Sequence, residues 1–88
     1  MKMIIAIVKD IDADRVSNEL TSANYRVTTI ASTSGFLRRG LNTMLCGVED
    51  DQVTKALEVI RGSYPPPENP NEKRCSIFVL NVGEYIHF

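Results

Sequence analysis

The residues with the clearest capacity for binding chemistry begin at position 24. Asn24, Arg26 and Thr28 all carry hydrogen-bonding side chains. If this segment is a strand, residues 26 and 28 point to the same side, because side chains alternate along an extended backbone. Arg26 can form charge-assisted hydrogen bonds to a phosphate. This spacing predicts a binding surface.

The segment that follows combines two glycines with an aromatic side chain. Gly35 and Gly40 allow backbone N–H groups to approach an anion closely. Phe36 offers a flat surface on which a nucleobase can stack. Together with the polar donors before them, these residues favour a nucleotide as the ligand.

Ordinary packing is the alternative interpretation of the same segment. Phe36 and Leu37 can fold back onto their own sheet or contact a neighbouring subunit, and Arg38 with Arg39 can form a solvated hairpin tip. The combination of donors, glycines and an aromatic ring favours the nucleotide site over packing alone.

Other chemistries require patterns that the sequence does not contain. Cys46 and Cys75 form neither a Cys-x-x-Cys pair nor a ligand-spaced cluster with the single histidine, His87. Both lie in apolar runs, which predicts buried, unreactive thiols and no disulfide. The predicted strand 42–48 lacks an aromatic residue on which RNA bases could stack. We expect no catalytic residues, no metal and no cofactor.

Length and charge narrow the class of protein. The chain has 88 residues, which predicts one domain spanning 1–88. A net charge of −1 provides no broad basic field for DNA or RNA. No stretch approaches the roughly 20 apolar residues of a membrane span, and the first apolar run is too short for a secretory signal. We expect a cytoplasmic protein without nucleic-acid or membrane partners.

Hydrophobic periodicity predicts the elements that position the binding residues. Residues 3–8 form an apolar run typical of a central strand buried on both faces. A helix follows, with Asp10 or Asp12 as its N-cap and Asn24 as a left-handed terminator. Its predicted apolar face consists of Ile11, Val16, Leu20 and Ala23.

The second part of the chain supplies the remaining elements. They are strand 26–33, strand 42–48, helix 49–62 ending at Gly62, a Pro-rich loop, and a buried strand over 74–82. The two middle strands form a hairpin. Residues 83–88 either prolong the last strand or form a short extra one.

The resulting order, β-α-β-β-α-β, predicts an α+β, ferredoxin-like sandwich. In this fold a four-stranded antiparallel sheet carries both helices on one face. The other face is then bare, and Ile5, Ile7, Phe78 and Leu80 make it apolar. Because an exposed apolar face usually marks a partner, we expect a homo-oligomer in which these faces cover one another.

Several segments of the sequence carry a resemblance to a known family. MKMIIAIVKDIDADRVSNEL, NYRVTTIASTSGFLRRG and LCGVEDDQV, and at the end IFVLNVGEYIHF, resemble the PII-like cyclic-di-AMP receptors of Gram-positive bacteria. The resemblance implies a PII-like domain in a homotrimer whose sheets face inward. It also implies that cyclic-di-AMP binds as a signalling ligand in clefts between subunits.

The same resemblance implies which residues bind the ligand. In the family pattern, Phe36 and Leu37 flank an adenine, and binding is relayed by loop rearrangement to a downstream protein whose identity is unknown. The matching positions that would line the cleft are Asn24, Arg26, Thr28, Gly35, Phe36, Leu37 and Gly47.

Four features depart from the family pattern. Ser34 replaces a glycine, Leu41 replaces a ligand-contacting asparagine, His87 stands in place of a ligand-contacting glutamine, and the loop before the last strand is much shorter. Asn42 would face the other way if the strand begins there. The alternative function is therefore a degenerate relative that acts as a nucleotide-independent protein-interaction module, through its Pro-rich loop and its hairpin tip.

Overall fold

The computed structural model describes residues 1–30, 40–66, 69, 73–86 and 88. Within these ranges the elements follow the predicted β-α-β-β-α-β order, and a single 3-10 turn at Asp50–Gln52 precedes the second helix. The elements are β1 Lys2–Lys9, α1 Asp10–Ser22, β2 Val27–Ile30, β3 Leu41–Val48, α2 Val53–Gly62 and β4 Cys75–Asn81.

The four strands form one antiparallel sheet in the order β2-β3-β1-β4. β1 lies in the centre and pairs with β3 along its whole length, from Lys2 opposite Val48 to Lys9 opposite Leu41. This strand order and the two helices confirm the ferredoxin-like, α+β fold.

Both helices contribute to a core on one face of the sheet. The β1 side chains on this face, Ile4, Ala6 and Val8, are each no more than 2% exposed. The remaining members of the buried cluster are Ala13, Val16, Leu20, Met44, Cys46, Val48, Ala56 and Ile60. These buried contacts hold the two helices against one face of the sheet.

The opposite face of the sheet is apolar and is not covered by the described residues. Met3, Ile5 and Ile7 alternate with the core residues of β1 and are half-buried. Ile5 pairs with Phe78 and Met3 pairs with Leu80, and these two β4 side chains are 54% and 50% exposed. The predicted apolar face is confirmed, but the described residues do not bury β1 on both faces.

The ends of α1 match the prediction only in part. The N-cap is Lys9. Asp10 and Asp12 lie in the first turn instead, where their charge interacts favourably with the positive end of the helix dipole. Asn24 has φ of 70°, so the predicted left-handed terminator is confirmed.

The predicted apolar face of α1 was wrong at its first residue. Ile11 is 85% exposed, whereas Ala13, Val16 and Leu20 are buried. Ile11 precedes Ala13 by two positions, which is about 200° around a helix of 3.6 residues per turn. The two side chains therefore lie on opposite sides. Ala23 is also exposed, because it follows the last helical residue.

Two strand boundaries and one cysteine also differ from the predictions. β2 begins at Val27, one residue later than predicted, and its predicted continuation over 31–33 lies outside the described residues. Residues 82–86 form no strand. Cys46 is buried as predicted, but Cys75 is only half-buried; both are free thiols. Burial raises the pKa of each.

Two arginines hold the start of the α2–β4 connection in place. The guanidinium carbons of Arg15 and Arg74 lie 5.1 and 5.0 Å from the centre of the Tyr64 ring. Arg15 Nε also donates a hydrogen bond to the carbonyl of Ser63 at 2.7 Å. Arg74 donates to the carbonyl of Pro65. The described ends of the connection therefore contact each other directly.

The core and the surface of the helical layer should respond differently to the same substitution. Ile60 is 1% exposed and Ile11 is 85% exposed. Ile60→Ala should lower the free energy of unfolding by about 2–5 kcal/mol, since it leaves a cavity. Ile11→Ala should change it by no more than about 0.5 kcal/mol. Urea unfolding at one protein concentration measures both, and similar losses would contradict the packing described.

Tyr64 should make stability depend on alkaline pH. Burial, followed by the nearby Cys75 and Asp12, raises the pKa of Tyr64 from 10.0 to about 12. The folded state then favours the neutral phenol. Its contribution to stability is complete below pH 10.0 and is lost as the pH rises through about 12.

We therefore expect the Tyr64→Phe variant to lose less unfolding free energy than the wild type as the pH rises through this alkaline interval. The variant keeps an aromatic ring between the two arginines and removes only the titrating hydroxyl. Urea unfolding of both proteins across the interval provides the comparison. Identical pH dependence would show that Tyr64 does not titrate as stated.

Candidate functional site

Two neighbouring surface cavities lie where the end of α1, the start of β2 and the end of β3 meet. The first, cavity A, has a volume of about 350 Å³ and includes Met1, Asn24, Arg26, Gly47, Glu49 and Gln52 in its wall. The second, cavity B, has a volume of about 410 Å³ and includes Met1, Met3, Arg26, Thr28, Gly47 and Tyr85. They share Met1, Arg26 and Gly47.

The sheet register explains why Arg26 lies beside Gly47. Val27 is the first residue of β2 and pairs with Cys46. The residue before Val27 therefore falls next to the residue after Cys46, which is Gly47. The left-handed turn at Asn24 redirects the chain from α1 into β2, so the polar side chains at 24 and 26 reach the same cavity.

The structure brings together four of the seven predicted binding residues. Asn24, Arg26 and Gly47 line cavity A, while Arg26, Thr28 and Gly47 line cavity B. The other three, Gly35, Phe36 and Leu37, lie outside the described residues. A ligand-binding role remains a prediction for all seven.

Arg26 is an exposed cation in the wall of both cavities. Within the described ranges, no carboxylate lies within 4.0 Å of its guanidinium. Its charge is therefore available to an anion. Glu49 contributes a carboxylate to the wall of cavity A, so an anionic group is favoured on the Arg26 side of that cavity.

A second positive group at the site is already paired. The nitrogen of Met1 lies 2.9 Å from Asp50 Oδ1. Through a hydrogen bond and charge attraction, this ammonium holds the pKa of the Asp50 carboxyl below its usual range. The pair fixes the start of the chain beside the 3-10 turn.

A hydrogen bond supports the outer wall of cavity A. The hydroxyl of Tyr25 donates to Gln52 Oε1 at 3.2 Å, which connects the segment after α1 to the 3-10 turn before α2. The sequence pattern does not indicate this bond, because it joins residues 27 positions apart. Nor does it indicate that Met1 and Tyr85, from opposite ends of the sequence, line the same cavity.

The structure confirms the predicted orientation of Asn42. Leu41 pairs with Lys9, and Asn42 pairs with Val8, which belongs to the buried face of the sheet. Asn42 therefore points toward the helical layer, where its Oδ1 is buried without a hydrogen-bond partner among the described residues. It cannot replace the amide missing at Leu41. Ser34 and His87 lie outside the described residues.

The walls of the cavities offer hydrogen-bonding groups, one available cation and apolar surface. In the part of the chain that the structure describes, no three His, Cys, Asp or Glu side chains are grouped to hold a metal ion. Among those same residues, no helix is long and apolar enough to cross a membrane.

The strand order and the two helices define a ferredoxin-like, PII-like fold. Comparison with known families is specific: the model of the cyclic-di-AMP receptor family matches residues 1–66. The chain therefore belongs to the cyclic-di-AMP receptor family. A solved structure from Pediococcus pentosaceus ATCC 25745, described as a functionally unknown protein, is similar at 30% identity and a TM-score of 0.76. The similarity covers 99% of this chain and 96% of that one.

Proposed function

We propose that this chain is a cytoplasmic, non-catalytic signalling protein that binds cyclic-di-AMP between the subunits of a homotrimer. The observation that carries the proposal is the convergence of Asn24, Arg26, Thr28 and Gly47 on two adjacent cavities. Two cavities suit a ligand with two bases. Arg26 provides the charge for a phosphate.

The position of cavity B supports a site between subunits. Met3 and Leu45 line this cavity and belong to the open face of the sheet, as their pairing with Gly47 and Ile5 shows. Cavity B therefore lies at the rim of the apolar face. A neighbouring chain placed on that face would enclose a ligand that one chain leaves exposed.

Loop rearrangement is the proposed means of relay to an unidentified downstream protein. Thr28 lies in β2, which leads into the segment with Gly35, Phe36 and Leu37. A ligand held at Thr28 reaches the base of that segment. It can shift the segment between arrangements only by binding one of them more tightly than the other.

The second candidate function is a protein-interaction module that needs no nucleotide. It is favoured by the position of Leu41, which offers no hydrogen bond, while the adjacent Asn42 points into the core. Loss of one hydrogen-bond partner costs about 1–3 kcal/mol of binding free energy. The proposed receptor binds its nucleotide without this hydrogen bond, whereas a protein-interaction module has no use for it.

Isothermal titration with cyclic-di-AMP tests the proposal, with cyclic-di-GMP and ATP as controls. We expect one cyclic-di-AMP per subunit. Arg26→Ala should weaken binding by about 10- to 150-fold, the equivalent of 1.5–3 kcal/mol for a hydrogen bond to a charged group. No heat from any of the three nucleotides with folded protein would favour the interaction module.

Arg61→Ala provides the matched control for Arg26→Ala. Arg61 is an exposed arginine in α2 and lines neither cavity A nor cavity B. This substitution removes the same charge from the protein and should change affinity by no more than about twofold. If both variants lose affinity equally, the effect of Arg26 is one of net charge and not of contact.

Sedimentation velocity tests the homotrimer. We expect the purified chain to sediment as a trimer at micromolar concentration and Phe78→Glu to dissociate it, since a carboxylate would be buried in an apolar contact. Ile11→Glu changes an equally apolar, exposed residue on the helical side and should leave the trimer intact. A monomeric wild-type chain, or a trimeric Phe78→Glu variant, would contradict the proposed packing.

A further inference from the structure

Met1 forms the boundary between the two cavities. Its side chain is 34% exposed and lies in the walls of both, together with Arg26 and Gly47. Arg26 supplies charge at this boundary and Gly47 supplies only backbone. Among these three shared residues, Met1 is therefore the one whose side chain offers apolar surface to both cavities.

Gly47 leaves the space that the Met1 side chain occupies. A Cβ atom added to Gly47 would lie 2.7 Å from Met1 Cε, closer than real Cβ contacts permit. The atom in its way is the end of a flexible side chain, not part of the backbone. Gly47→Ala would therefore displace the Met1 side chain and leave the sheet in place.

Two contacts hold the backbone of Met1 at this position. Its nitrogen pairs with Asp50 at 2.9 Å, and its carbonyl accepts a hydrogen bond from the Val82 N–H at 3.1 Å. These contacts tie Met1 to the 3-10 turn on one side and to the residue after β4 on the other. The start of the side chain is thus fixed, and Gly47 determines where its end lies.

We propose that Met1 is a further ligand-contacting residue of the nucleotide site, and that Gly47 acts on the ligand chiefly by positioning Met1. The proposal rests on the proposed function. The Met1 thioether supplies a polarizable, apolar surface beside Arg26, suited to the face or edge of a purine whose phosphate contacts the guanidinium. Gly47 acts as a positioning residue, since its missing side chain provides the room for Met1.

A double-mutant cycle tests this relation. The four proteins are the wild type, Met1→Ala, Gly47→Ala and the double variant, each released from a removable N-terminal fusion so that residue 1 is first. Isothermal titration with cyclic-di-AMP measures their affinities. Each single variant should bind about 2- to 12-fold more weakly, the range of a sulfur–aromatic contact. The double variant should bind as the weaker-binding single variant does, and not with the product of the two losses, because coupled effects are not additive.

A conservative variant separates contact from folding. Met1→Leu keeps an apolar side chain of similar volume and should retain affinity to within about threefold. Thermal unfolding midpoints without ligand, and sedimentation, should match among the variants, since Met1 is exposed at the surface and its end is flexible. If Met1 had only a structural role, the substitutions would change the unfolding midpoints. Met1→Leu would then bind cyclic-di-AMP no more tightly than Met1→Ala does.

The possible results distinguish this inference from the proposed function. If the wild type binds cyclic-di-AMP and Met1→Ala binds equally well, Met1 has no role in recognition and the inference is wrong. If the losses multiply in the double variant, Gly47 contacts the ligand independently of Met1, and the positioning role is wrong. If the wild type binds no cyclic-di-AMP, the proposed function fails, and the inference fails with it.

Discussion

The burial of one side of β1 beneath two helices is the constraint on which the rest of the structure depends. Ile4 and Val8 are fully buried on that side, and each buried side chain of this size stabilises the fold by about 1.5–3 kcal/mol. The two helices, of 13 and 10 residues, cover one face of the sheet. The alternate residues of β1 are apolar as well, so the same strand that forms the core also creates an apolar surface that the described residues leave uncovered.

The order of the elements determines where the cavities form. α1 returns antiparallel to β1, which brings its end near Met1, at the start of β1. β2 then begins at that end of the molecule, and β3 returns to it, so Arg26 and Gly47 arrive beside Met1. Polar groups from separate segments meet because each strand or helix reverses the direction of the one before it. Their proximity is a property of the fold and needs no close spacing in the sequence.

Much of this arrangement could be predicted from local patterns. The β-α-β-β-α-β order follows from the periodicity, and the left-handed turn at Asn24 follows from its residue type. The alternation along an extended strand predicted that Arg26 and Thr28 point to the same side, and both line cavity B. These features depend on neighbours in the sequence, which is the information that propensity and periodicity contain.

Features that depend on distant contacts could not be predicted in the same way. Ile11 looks apolar enough for the core, but the orientation of α1 is set by Val16 and Leu20 against the sheet. Cys75 lies in an apolar run, yet β4 is an edge strand, and its core-facing side is covered less fully than that of β1. The role of Met1 at the cavities appears only once the register places Gly47 opposite Met3.

The rim position of cavity B gives the proposed receptor a thermodynamic consequence. A ligand that contacts Arg26 on one chain and the neighbouring chain across the open face binds the trimer more tightly than the monomer. By linkage, the two effects are equal in free energy. Ligand binding stabilises the trimer by the same amount by which trimer formation strengthens ligand binding.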